Sequence, residues 1–326
     1  LSAQHMADRP VPPFDARGCR YDQSTYAGRL RRFREMTDPR MLLIGDEELA
    51  TAQALLDKHA RGQASSATDA ELWEAKRIKD AIIHPVINEK MFLPGRMSAF
   101  VPVNTIPTVG MLLAKTPVQN VFWQWVNQSL NVMCNYVNRS GASVEWSQVG
   151  QAYALAVGVS CGIAVGARKL VEAGPPAVKR LGIAVPYAAV VLAGGANVAF
   201  TRLPEMQDGV PIADADGNVL GVSKAAAVTS VTKTVLSRNV CLPIAPMLLP
   251  PLAMAAVRSV FPLTGVAAVA AETAFVGASI FGALPLAIAI FPQEIAIPTS
   301  ALEPEFQGLR AKNGSLITQV VCNKGL

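Results

Sequence analysis

Four asparagines, Asn127, Asn131, Asn135 and Asn138, stand four, four and three residues apart in the stretch FWQWVNQSLNVMCNYVNR. At those spacings all four fall along one face of a helix. Asparagine is a mediocre helix former because its side chain competes for nearby backbone groups. A whole face of it therefore asks for a reason beyond propensity. A neutral amide offers a carbonyl acceptor and N–H donors without the desolvation cost of a buried charge. A row of them can bind a polar group, or bridge two helices, at modest cost. The same face also suits hydrogen bonding between packed helices, or an interfacial helix with Trp123, Trp125 and Tyr136 at headgroup depth.

Two further amides, Asn104 and Asn197, lie in apolar segments. Asn104, Asn127, Asn131, Asn135 and Asn197 are expected to converge on a polar path, with Pro285 breaking the last apolar segment nearby. Other chemistry has weaker support. The three histidines, His5, His59 and His84, sit at no ligand spacing from one another or from a cysteine, and the five cysteines include no close pair. The string DADGNVLG has its glycine at the fourth position of a would-be calcium loop, where the sixth is needed, and Ala225 stands where a bidentate Glu belongs. A turn between short strands, set by Asp216 and Gly217, is the expected structure there. No phosphate loop, metal cluster or nucleophile with a base at motif spacing occurs, so neither an enzyme nor a cofactor or metal is expected.

The elements that must position the amides follow from composition. Of 326 residues, 51% are hydrophobic and 16% charged, against about 25% charged in soluble domains, which points to a membrane protein. The net charge of +5 is scattered without an aromatic–basic array; it suits anionic lipid better than nucleic acid. Residues 1–97 are a soluble, partly helical region, with amphipathic helices in GDEELATAQALLDKHARG and in TDAELWEAKRIKDAIIH, the latter capped by Thr68 or Asp69. Apolar segments near 98–116, 149–167, 183–200, 239–257 and 265–291 are each close to the roughly 20 residues that cross a bilayer. Residues 292–326 form a tail. The expected fold is an all-α membrane protein with about five transmembrane helices, and an odd number of crossings would place its two ends on opposite sides.

Pro102 and Pro107 in the first span, and Pro243, Pro246, Pro250 and Pro251 in the fourth, either break these spans, as transport sites with free backbone do, or merely kink packed helices. Gly150, Ala154, Gly158, Gly162 and Gly166 predict a ridge for close helix packing. Glu272 is the only acid in any span; a span starting at Thr273 leaves it among the headgroups.

Several long strings resemble one family, the sideroflexins. They include RYDQSTYAGRLRRFREMTDPRMLL, GRMSAFVPVN, the asparagine stretch, GVPIADADGNVLGVSKAAA, LPLAIAIFPQ, LEPEF and the terminal NKGL. The resemblance implies a five-span protein of the mitochondrial inner membrane. It implies transport of a small amino acid, serine above all with alanine and cysteine beside it, feeding one-carbon metabolism. Citrate transport, or a non-transporting scaffold whose partners are respiratory-complex assembly factors, are the alternatives it leaves. The family signature His-Pro-Asp-Thr-Gly-Glu stands here as His84-Pro85-Val86-Ile87-Asn88-Glu89. His84, Pro85 and Glu89 survive, but the central carboxylate does not. If that centre binds substrate, specificity has changed or transport is lost; if it is only a turn, Asn88 can take the turn-forming role.

Overall fold

In the computed structural model, residues 11–16, 18–63, 66–85, 87–139, 146–175, 184–311 and 314–325 are described. The amino-terminal helices carry their own start signals. Thr25 caps α1 (Tyr26–Met36) by accepting from the Gly28 amide at 3.1 Å. The second helix, α2 (Asp46–Ala60), opens on three acidic residues that suit the positive end of its dipole. Thr68 and Glu71 close a capping box on α3 (Asp69–Ile82).

The first expected span is α4 (Phe100–Leu113), whose fourteen residues reach only about 21 Å. It does not cross a bilayer alone. It turns at Ala114–Thr116 into α5 (Pro117–Val137), which Thr116, Pro117 and Gln119 start with another capping box. The two helices form a close hairpin. A Cβ on Gly110 would come within 2.2 Å of the Trp123 ring, and at the base Asn138 Nδ2 donates to the Gly95 carbonyl at 2.8 Å.

Next come α6 (Trp146–Ala173), α7 (Ala184–Thr201) and the short α8 (Leu203–Asp208), followed by α9 (Lys224–Thr234), α10 (Ile244–Val260) and α11 (Gly265–Ile288). Among the described residues, three helical stretches are long and apolar enough to cross a membrane: Gly150–Ala173, Lys224–Val260 and Gly265–Ile288. Tyr187–Thr201 is apolar but shorter. On this measure the number is three where five were expected. The fourth expected span is the second half of a 37-residue rod that starts at Lys224.

The prolines do not break the helices they stand in. Pro107, Pro250, Pro251 and Pro285 all lie inside continuous helices, and α11 runs through Pro285 to Ile288. The irregularity comes upstream, between α9 and α10, where Val235–Cys241 winds as a π turn and the Leu242 amide donates to the Ser237 carbonyl at 3.2 Å. Pro243 follows at once. A proline ring clashes with the carbonyl four residues back, and the wider turn relieves that crowding before α10 begins.

The protein is mostly helical, but it is not all-α. A four-stranded antiparallel sheet, ordered β2-β1-β4-β3, joins β1 (Val210–Ala213) and β2 (Val219–Ser223) to β3 (Glu294–Pro298) and β4 (Gln319–Asn323). The β1–β2 turn is built by Asp214, whose carboxylate accepts from the Asp216 and Asn218 amides, with Gly217 at φ 82°. Ile295, Ile297 and Val320 face inward onto Ala226 and Ala227 of α9. Glu303 then reaches back to α9 as its cap: Oε1 accepts from the Lys224 and Ala225 amides at 2.7 and 2.9 Å, and Oε2 accepts from Ser223 Oγ at 2.7 Å.

The amino-terminal region is packed into the bundle. Phe33 shares one core with Met97, Phe100, Leu284 and Ile288. Arg29 Nε donates to the Ala289 carbonyl at 2.8 Å, and Tyr26 Oη to Leu286 at 2.9 Å. The segments before α4 and after α11 therefore meet at one end of the bundle. The glycine ridge of α6 also differs from expectation. A Cβ on Gly150, Gly158, Gly162 or Gly166 would meet nothing within 4 Å, and α6 packs on α7 through another face, where Ser160 Oγ donates to the Ala193 carbonyl at 2.7 Å.

Candidate functional site

Three elements supply a buried polar network near the end of the bundle where α5 and α7 finish: α5, α7 and the π turn. Asn135 Nδ2 donates to Asn197 Oδ1 at 3.2 Å. Asn197 Nδ2 donates to both the carbonyl and the side-chain oxygen of Gln128, at 3.1 and 3.0 Å. From the π turn, Arg238 Nη1 donates to Asn135 Oδ1 at 2.9 Å, and its guanidinium lies 5.5 Å from the centre of the Phe100 ring. Asn135, Asn197, Gln128 and Arg238 are all 5% exposed or less. An amide oxygen solvates a guanidinium without neutralising it, so the network carries a positive field into a low-dielectric interior.

The site depends on close approach between α7 and the π turn. A Cβ on Gly194 would lie 2.2 Å from Asn239 Nδ2. Just beyond α7, Arg202 donates to Thr234 Oγ1 at 3.1 Å and to Glu205 at 2.5 and 2.9 Å.

Of the amides expected to converge, the structure brings Asn135 and Asn197 together. Asn104 instead donates to the Phe100 carbonyl in its own helix at 2.8 Å. Asn127 and Asn131 are half-buried on α5, and neither takes part in the hydrogen bonds of this pair. Pro285 lies within α11 and packs in the core without opening the helix. Asn138 closes the base of the α4–α5 hairpin.

A family model described as Sideroflexins matches residues 15–326. The chain is a sideroflexin. Among curated proteins it is similar to a sideroflexin of Dictyostelium discoideum, 37% identical over 98% of this chain and all of the relative. It is also similar to sideroflexin-5 of Rattus norvegicus (40%; 97% of this chain, 93% of the relative) and sideroflexin-3 of Homo sapiens (39%; 94% and 96%). No solved structure matches it. Sideroflexins are membrane proteins and, in general, mitochondrial transporters.

The altered signature of this sideroflexin forms a tight loop. The His84 amide donates to the Glu89 carbonyl at 2.8 Å, and the Asn88 amide to the His84 carbonyl at 3.0 Å. Asn88 has φ 54°. It occupies the position of the family's glycine, and asparagine is one of the few residues other than glycine that tolerates the left-handed region. Val86 lies outside the described residues. His84 is buried, with Nε2 3.1 Å from the Arg139 carbonyl and Nδ1 accepting from the Ile87 amide at 3.4 Å. Burial, and then the nearby Arg139 charge, lower its pKa. The neutral Nε2–H tautomer satisfies both contacts.

Beside this loop a cavity of about 600 Å³ is lined by His84, Asn138, Arg139, Gln293, Asn323 and Gly325, among others. Arg32, Lys76 and Arg139 contribute basic groups to it, Asp80 and Glu294 acidic ones. It lies where the amino-terminal region, the end of α5 and the sheet meet.

Gln128, Arg238 and Arg202 were not among the sequence candidates. Gln128 adjoins Asn127, one step outside the asparagine face. Arg238 immediately precedes the apolar window 239–257, where a cation reads as a flanking charge.

Proposed function

We propose that this sideroflexin carries a small amino acid across the mitochondrial inner membrane, serine first, with alanine and cysteine as related substrates supporting one-carbon metabolism. The observation that carries the reading is the Asn135–Asn197 pair held by Arg238 inside the bundle. A guanidinium suits the substrate carboxylate, while amide oxygens suit its ammonium and hydroxyl groups. The π turn supports the same reading, since such turns recur at functional sites and leave backbone groups free to re-pair. The cavity beside His84 reaches Asn138, three residues beyond Asn135 in the chain.

The test is uptake of labelled serine, alanine, cysteine and citrate by purified protein in liposomes. Serine uptake should fall at least tenfold in Asn197→Ala and in Asn135→Ala, with insertion and monodispersity unchanged. Uptake equal to wild type in both variants would remove the pair from the path. Citrate uptake without serine uptake would replace the amino acid by a carboxylate substrate, and failure on every compound would sink the transporter reading for this protein.

A further inference from the structure

Lys324 is fully buried, and its Nζ has no hydrogen-bond partner. Its backbone amide is tied to the Gln293 carbonyl at 2.7 Å, so the residue is held in register just beyond β4. The charged groups that act on it come from three elements packed together: Arg202 after α7, Lys233 on α9 and Arg238 in the π turn. All three are cations. Glu205, the acid among these elements, is engaged by Arg202. Cys322, two residues before the lysine, faces Ser230, with Sγ 3.5 Å from Oγ.

An unpartnered buried amine among three like charges is unfavourable as a structural element, because a lysine gains nothing from a pocket of positive field. A bound anion reverses the sign of each of those interactions. Gln293, Asn323 and Gly325, which flank the lysine on either side of its backbone bond, line the 600 Å³ cavity. Gln293 Oε1 and Asn239 Oδ1 are likewise buried without a hydrogen-bond partner, as an incompletely filled polar site would leave them.

We propose that Lys324, with Arg238 acting on it and Asn135 held by that arginine, forms an anion site that takes a small carboxylate together with a proton. It rests on the reading above in treating the Asn135–Arg238 network as the substrate path, but not on which amino acid is carried. Burial, and then Arg202, Arg238 and Lys233, push Lys324 down to about 7. In the empty site at pH 8 the amine is mainly neutral. A carboxylate restores the charge, so binding takes up a proton; below pH 7 the amine is already charged and uptake vanishes. Carboxylate affinity should thus fall about tenfold for each pH unit above 7 and be level below it.

The experiment measures thermal stabilisation and calorimetric binding of the full chain in detergent, with four probes at equal ionic strength: L-serine, L-serinamide, glycolate and chloride. Serine or glycolate should raise the melting temperature while serinamide, which lacks the carboxylate, does not. The response should be lost in Lys324→Met and kept in Lys324→Arg. Calorimetry of wild type in buffers of different ionisation enthalpy should register about one proton taken up per carboxylate at pH 8 and close to none at pH 6. Binding of glycolate but not serine, dependent on Lys324, supports the anion site while removing the amino acid. Binding without liposome uptake supports it while removing transport. An equal response to serinamide or to chloride, an undiminished response in a folded Lys324→Met, or proton uptake independent of pH would overturn the proposal. Wild-type calorimetry decides the matter even if that variant does not fold.

Discussion

Asn88 and Asn135 are the same side chain put to different work by their backbones. Asn88 is an adaptation to a positive φ, so its value is conformational. Replacing it by glycine should change stability by no more than about 0.5 kcal/mol. Valine, which resists the left-handed region, should cost about 1–2 kcal/mol. Thermal melts of the two variants check this; equal melting temperatures for glycine and valine would show that the loop does not need that geometry. Asn135 is on a helix, and its value lies in what its two polar atoms reach. The spacing of the asparagines made one face legible in the sequence, since the 3.6-residue repeat fixes which residues line up. It could not say which of them meets Asn197, because that depends on where α7 crosses α5. Lys324 was legible only as part of a shared terminal string. Nothing near it in sequence announces burial, as the charged groups that act on it come from residues more than eighty positions away.

Among the elements, the helices were legible wherever a local signal set them: Thr68 and Glu71 before α3, the apolar runs of α6 and α11. The continuity of the fourth apolar segment with α9 was not legible, because Lys233 and Arg238 interrupt the hydropathy of the rod that holds them. β3 and β4 were missed although EIAIP and QVVCN alternate in burial, because their partners lie in other segments and pairing of that range leaves little trace in a window. The contact between Glu303 and α9 is likewise non-local, and it can be tested. Burial would raise the Glu303 carboxyl, but hydrogen bonds from Ser223 and the α9 amides outweigh it and hold it below the ordinary carboxylate range. Its stabilisation is therefore present above about pH 4.5 and lost as pH falls through the lowered value. Glu303→Ala should cost about 1–2 kcal/mol at pH 7, and the gap from wild type should narrow on acidification. A gap that stays constant down to pH 3 would show that the charge is not the source.

For the whole molecule, the decisive feature is that the segments before α4 and after α11 meet. The α4–α5 hairpin returns to the end from which it starts, and α7 packs back along α6, so the chain reaches the sheet at that same end. Exposed positions on α2 and in the tail should then face one compartment, and the turn between α10 and α11 the other. Single cysteines at Thr51, Leu316 and Phe261, which are all exposed, in a cysteine-free background test this with a membrane-impermeant maleimide. Thr51→Cys and Leu316→Cys should label from the same side, and Phe261→Cys only after permeabilisation or from the opposite side. Labelling of the first two from different sides would refute the arrangement. Counting apolar windows could not reveal it, because a half-length helix that doubles back looks in sequence like one more span.

The contacts of the tail also set an order of events during synthesis. Every helix of the bundle is made before Glu303 is available to cap α9, and before Lys324 can enter the cation cluster. Until then the rod that carries Arg238 has only its local Ser223 cap, and the sheet lacks β4. Insertion into the membrane and acquisition of a working site are thus separate stages of biogenesis. On the anion-site proposal, a chain truncated between them should integrate but not bind.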